Sequence, residues 1–219
     1  MLIHGYTDNS ISMFSLGYMY NQEFNYNIIL PDLQYHGKSE GAIIQMGWKD
    51  RLDIIEWMNI APKILHTDPD FVLHGVSMGA ATTMMVAGEK TESNIKCFVE
   101  DCGYTSVWDE FSSEAKVRFN LPSFPILNIT SWLCDVMYGW DFKEASAIQS
   151  ISQCNLPMLF IHGDKDTFVP FEMLDKVYEA AQVDKEKLII NGAMHGEAVK
   201  VNPDLYWKTI WKFIDTYIN

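Results

Sequence analysis

The sequence predicts an α/β protein built on a doubly wound, mostly parallel sheet. Short apolar runs rich in β-branched residues alternate with longer stretches of helical periodicity, and several of those runs end in a glycine turn. With 219 residues and 48% hydrophobic content, the chain suits one domain with a sizeable core.

The elements follow in order. Met1-Leu2-Ile3 reads as the end of a buried strand, and His4-Gly5-Tyr6 as a turn above the sheet. Met13 to Phe24 spaces its apolar residues as a helix does. Tyr26 to Leu30 predicts a strand stopped by Pro31, followed by a turn-rich loop from Asp32 to Gly41. Trp48 to His66 predicts a long helix, with Pro62 kinking it or marking its last turns. Phe71-Val72-Leu73 is a strand, Ala80 to Gly88 a small-residue helix, and Ile95 to Glu100 the next strand. From Tyr104 to Gln153 the alternation breaks into an aromatic, proline-punctuated region, expected to form a helical cap over the site. The alternative is a set of plain crossover helices. The sheet resumes at Pro157 to Ile161 and ends with Lys187 to Ile190, with a helix from Phe171 to Ala181 between them. Leu205 to Ile218 closes the chain as an amphipathic helix. The domain organisation expected is one domain over 1–219, with 104–153 as the cap.

Chemistry concentrates at Gly75-Val76-Ser77-Met78-Gly79, which fits G-x-S-x-G between a strand and a helix. Such a turn strains its central residue, and the flanking glycines let two backbones approach closely. It lifts the Ser77 hydroxyl clear of the sheet and sets it at a helix N-terminus, where N–H groups stabilise negative charge. A serine needs a base, and the base needs a carboxylate to hold its tautomer. Asp166 and His195 follow strand ends later in the chain, and the ends of parallel strands gather on one edge.

Over essentially its whole length the chain resembles an α/β-hydrolase of the serine esterase type. The order Ser77, Asp166, His195 is that of the family. His4-Gly5-Tyr6 resembles its oxyanion loop, the segment His162 to Pro170 its H-G-x-x-D-x-x-V-P acid loop, and Met194-His195-Gly196 its histidine loop. Asp32 to Gly41 matches its D-x-x-x-H-G-x-S-x-G turn. The resemblance implies Ser77 as nucleophile, His195 as base and Asp166 as acid, with the Tyr6 and Met78 N–H groups as the oxyanion hole. It implies cleavage of a carboxylic ester or thioester through an acyl-enzyme, with no metal or cofactor. It also implies that the chain lacks the first two strands of the family sheet. The strand Tyr26–Leu30 then becomes an exposed edge, and the expectation is that either two copies pair through it or upstream sequence supplies the missing strands.

Rivals exist at each position. Asp164 follows the His-Gly turn and suits bracing it, while Asp101 follows another strand end that some hydrolases of this fold use. His36, His74 and His162 match structural positions of the family, His4 braces a loop, and His66 has no acid partner in view. Trp108, Phe119, Phe124 and Trp132 are the candidate pocket residues of the cap. Other readings are a small-peptide or amide hydrolase, or a non-catalytic module or fragment of a longer enzyme.

The net charge of -13, from 16 basic and 29 acidic residues, argues against nucleic-acid partners and anionic membranes. The four cysteines show no C-x-x-C pair or zinc spacing, so free thiols in a reducing, cytoplasmic setting are expected. No run is long enough to span a membrane, and no signal-peptide start follows Met1.

Overall fold

The computed structural model describes residues 1–91 and 93–218. Among them, five strands form one sheet in sequence order, every neighbouring pair parallel. They are β1 (Leu2–Ile3), β2 (Asp70–Val76), β3 (Asn94–Asp101), β4 (Met158–Gly163) and β5 (Lys185–Ile190). The helices are α1 (Phe14–Phe24), α2 (Asp50–Leu65), α3 (Met78–Ala87), α4 (Val107–Phe119) and α5 (Ile126–Tyr138), then α6 (Ala147–Ile151), α7 (Glu172–Ala180), α8 (Ala198–Val201) and α9 (Pro203–Ile218).

Side chains alternate across the strands, so the sheet buries both faces. Phe71, Leu73, Phe98, Met158 and Phe160 meet Ile54, Met58, Met84 and Leu174 of the α2, α3 and α7 layer. Val72, Val99, Leu159 and Ile161 meet Leu16 and Tyr20 of α1 and Tyr206, Ile210 and Phe213 of α9. All ten residues of α3 are buried, which its run of Gly79, Ala80 and Ala81 permits by letting the helix lie close on the sheet. Pro62 is accommodated near the C-terminal end of α2, which closes on His66 at φ 55°. Pro203 opens α9, where a missing N–H costs no intrahelical bond.

One expected strand is absent. Tyr26 to Leu30 runs beside β1 but shares with it only the bond from Leu2 N–H to Ile29 C=O, 3.0 Å. β1 is two residues long, too short to template a ladder on its outer side. The segment therefore stays half-buried and irregular, beside an apolar groove lined by Met1, Leu2, Ile28, Phe71 and Val72. The edge strand on which pairing of two copies was expected is not part of the sheet.

The region between β3 and β4 holds α4, α5 and α6. A bridge between Ser106 and Ser146 closes its base, and Ile151 of α6 is buried in the α3 layer of the core. α5 turns Ile129, Trp132, Val136 and Met137 outward. No described helix is long and apolar enough to cross a membrane.

Candidate active site

Ser77 joins β2 to α3 with φ 58° and ψ −121°, a strained conformation for a residue with a side chain. The flanking glycines are required by space. A Cβ on Gly75 would lie 2.0 Å from the Gly79 carbonyl oxygen, and one on Gly79 would lie 2.0 Å from that of Ile3. The Ser77 N–H is tied to the Asp101 carbonyl at 2.8 Å, which locks the turn to the end of β3.

The loops after β4 and β5 bring two more side chains to this edge. His195 Nε2 lies 2.7 Å from Ser77 Oγ, and its Nδ1 lies 2.7 Å from Asp166 Oδ2. With Nδ1 donating to the carboxylate, Nε2 is left to accept from the hydroxyl. Asp166 is buried and well supplied with donors. Its Oδ1 accepts from the N–H groups of Phe168 and Val169, both at 3.0 Å, and His162 Nε2 lies 3.2 Å from Oδ2. Burial alone would raise the Asp166 carboxyl, but the hydrogen bonds from His162 and His195 outweigh it and hold the group below the usual carboxylate value.

The rivals are engaged elsewhere. Asp164 Oδ1 accepts from Gly192 N–H at 2.6 Å, so it braces the acid loop against the histidine loop. Asp101 Oδ2 accepts from the Tyr206 hydroxyl at 2.8 Å, and burial pushes its carboxyl up to about 6. Because that hydroxyl donates to Asp101, it accepts from His74 Nε2 at 3.2 Å, and His74 Nδ1 in turn accepts from Tyr20 at 2.9 Å. Burial pushes His74 down to about 3, so it stays a neutral link in this chain. His4 Nε2 accepts from Leu33 N–H at 3.0 Å, and His36 Nε2 from Thr7 N–H at 3.2 Å, tying the Tyr6 loop to the loop after Pro31. Burial lowers His4, which favours the neutral ring that can accept. His66 is the C-cap of α2.

Tyr6 and Met78 both border the cleft that opens over Ser77, and Met78 is the first residue of α3, whose N–H has no intrahelical partner. The cleft holds about 220 Å³ and is walled by Met46, Tyr104, Phe111, Phe119 and Phe168, with Glu110, Glu114 and Arg118 among them. Of the four expected pocket residues, only Phe119 lines it. Trp108 packs on the core with Lys143 Nζ 4.5 Å from its ring centroid, and Phe124 and Trp132 are 75% and 60% exposed. Trp132 lies on the outward side of α5, whose Leu127 and Ser131 are buried and whose Cys134 and Tyr138 pack on the core, and Phe124 lies in the turn before that helix. Glu110, Phe111, Glu114 and Arg118 were missed, although the i, i+4, i+8 spacing of Glu110, Glu114 and Arg118 marks one face of a helix, with Phe111 next to it.

Among the described residues, ligand atoms of Cys102, Asp166 and His195 lie within 4.8 Å of one another. Asp166 and His195 already share a hydrogen bond, and burial pushes the Cys102 thiol far up, so an ion there would have to break the first and deprotonate the second.

The uncharacterised protein YqkD of Bacillus subtilis is 26% identical over 216 residues, covering 98% of this chain and 70% of its own length. The lysophosphatidylserine lipase ABHD12 of Danio rerio is 25% identical over 166 residues, which are 73% of this chain and 41% of that protein. The esterase Pf2001 of Pyrococcus furiosus superposes with a TM-score of 0.76 at 20% identity, over all of this chain and 82% of that one. The strand order, the serine turn between β2 and α3 and a family-model match over residues 1–128 agree: the chain belongs to the alpha/beta hydrolase fold family.

Proposed function

We propose that the protein is a serine hydrolase cleaving a carboxylic ester or thioester. The observation that carries this reading is the unbroken hydrogen-bonded chain from Ser77 Oγ through His195 to Asp166. His195 takes the hydroxyl proton as Ser77 attacks the carbonyl, then gives it to the leaving alcohol or thiol. Asp166 stays ionised and holds the imidazole in the tautomer that accepts from serine. The N–H groups of Tyr6 and Met78 receive the tetrahedral oxyanion, a contribution of about 3–4 kcal/mol for each such donor. Water then repeats the sequence on the acyl-enzyme, and no metal or cofactor is needed.

The apolar walls around Ser77 suit short to medium acyl or aromatic groups. A binding scaffold without chemistry would have no use for a strained serine aligned with a histidine and a buried carboxylate. The four cysteines are free, which fits a reducing cytoplasm. A fluorophosphonate probe tests the reading: it adds once, at Ser77, and Ser77→Ala abolishes both labelling and turnover of a nitrophenyl ester. Undiminished turnover in that variant removes Ser77 from the mechanism.

A further inference from the structure

Glu110 sits in the first turn of α4, 3% exposed, on the wall of the cleft that contains Ser77. Neither of its carboxyl oxygens has a hydrogen-bond partner among the described residues. Ordinary roles for a first-turn acid are already filled. Ser106 caps the helix by accepting from Asp109 N–H, and Asp109 accepts from Thr105 Oγ1 at 2.7 Å. The neighbouring cation, Arg118, is paired with Glu114 at 2.5 Å. A buried carboxyl without a partner destabilises the fold, so its place on the cleft wall calls for a partner that arrives from outside.

We infer that Glu110 is the recognition point for a hydroxyl group on the substrate, in the same cleft as the scissile ester. This rests on the hydrolase reading above. A hydroxyl both donates and accepts, so it matches a carboxyl in either protonation state. An ammonium group would require the ionised form. Burial pushes Glu110 up to about 8, the charges of Glu114 and Asp166 push the same way, and Arg118 opposes them. Forming an ion pair between Phe111, Phe119 and Phe168 would also strip water from both charges, whereas a neutral carboxyl and a hydroxyl meet without burying charge. The preferred substrate class is therefore a hydroxylated ester or thioester, with the hydroxyl on the acyl or the alcohol portion.

The test uses two matched trios: methyl hexanoate with its omega-hydroxy and omega-ammonio analogues, and butyl butanoate with the same changes on the alcohol. The intact protein favours the hydroxy member of at least one trio by about tenfold in kcat/KM, the scale at which a buried polar group discriminates. Glu110→Gln, which keeps a donor and an acceptor, retains the preference. Glu110→Leu brings the ratio to about one and raises Tm, because an unpaired carboxyl has been removed. Ser77-dependent turnover without hydroxyl preference in either trio overturns the proposal. Preference for the ammonio member, lost in Glu110→Gln, overturns it in favour of cation recognition. A lower Tm in Glu110→Leu with the ratio unchanged makes the residue structural. Absence of both ester turnover and fluorophosphonate labelling removes the hydrolase reading itself, and this proposal with it.

Discussion

His162 Nε2 lies 3.2 Å from Asp166 Oδ2, the same carboxylate oxygen that meets His195 at 2.7 Å. Both side chains of the His162–Asp166 pair are fully buried. Burial lowers His162, but the Asp166 hydrogen bond and the Glu100 charge outweigh it and raise the group. Asp166 is depressed, so its share of the stability is present above the unfolded carboxylate value and lost as pH falls through the folded one. His162 is raised, so its share is present below the unfolded imidazole value and lost as pH rises through the folded one. The two are one interaction, strongest between roughly pH 4 and 6.5. His162→Phe is expected to lower Tm most in that window, over a constant loss of about 1 kcal/mol from the bond to Val169 C=O. Thermal melts across pH check this, and a difference in Tm that does not vary with pH contradicts it.

Asp166→Asn is expected to cut turnover of a nitrophenyl ester by about four orders of magnitude, the scale of losing the imidazole tautomer. Asp101→Asn should cost far less, because its carboxyl faces Tyr206. Steady-state kinetics on the two variants decide it. An equal or larger loss at Asp101 would mean that the working carboxylate belongs to β3.

The elbow glycines predict a contrast in stability. Gly79→Ala sets a Cβ 2.0 Å from the Ile3 carbonyl oxygen, against backbone that cannot yield, and should cost more than about 4 kcal/mol or prevent folding. Gly192→Ala meets no atom within 4 Å, and only its φ of 84° opposes it, at a cost of about 1–2 kcal/mol. Chemical denaturation measures both. Equal losses would mean that the backbone around Ile3 yields to the added Cβ, so that close approach does not set the glycine requirement at Gly79.

Selectivity should follow the cleft wall. Phe119→Ala and Phe111→Ala are expected to reorder a series of acyl esters by about tenfold, while Trp132→Ala on the outward face of α5 leaves the order intact. A reordering by Trp132→Ala would place α5 over the cleft during turnover.

The sequence by itself named the three residues of the candidate site that the fold brings together, Ser77, Asp166 and His195. Gly75, Ser77 and Gly79 are imposed by a single tight turn, and Asp166 and His195 by loops at strand ends, so local chain geometry leaves each a recognisable residue pattern. Parallel strands carry such ends to one edge whatever separates them in the chain, which is why Ser77 and His195, 118 positions apart, could be joined on paper. The tertiary structure alone decided what surrounds that centre. Glu110 and Phe119 face the cleft while Trp108 and Trp132 do not, because the rotation of α4 and α5 against the fold is set by packing of distant residues and not by aromatic content. Tyr26 to Leu30 has the residues of a strand, yet a ladder needs a partner of matching length, and β1 offers two residues. Strand character lies in the sequence, but pairing belongs to whatever neighbour the fold supplies.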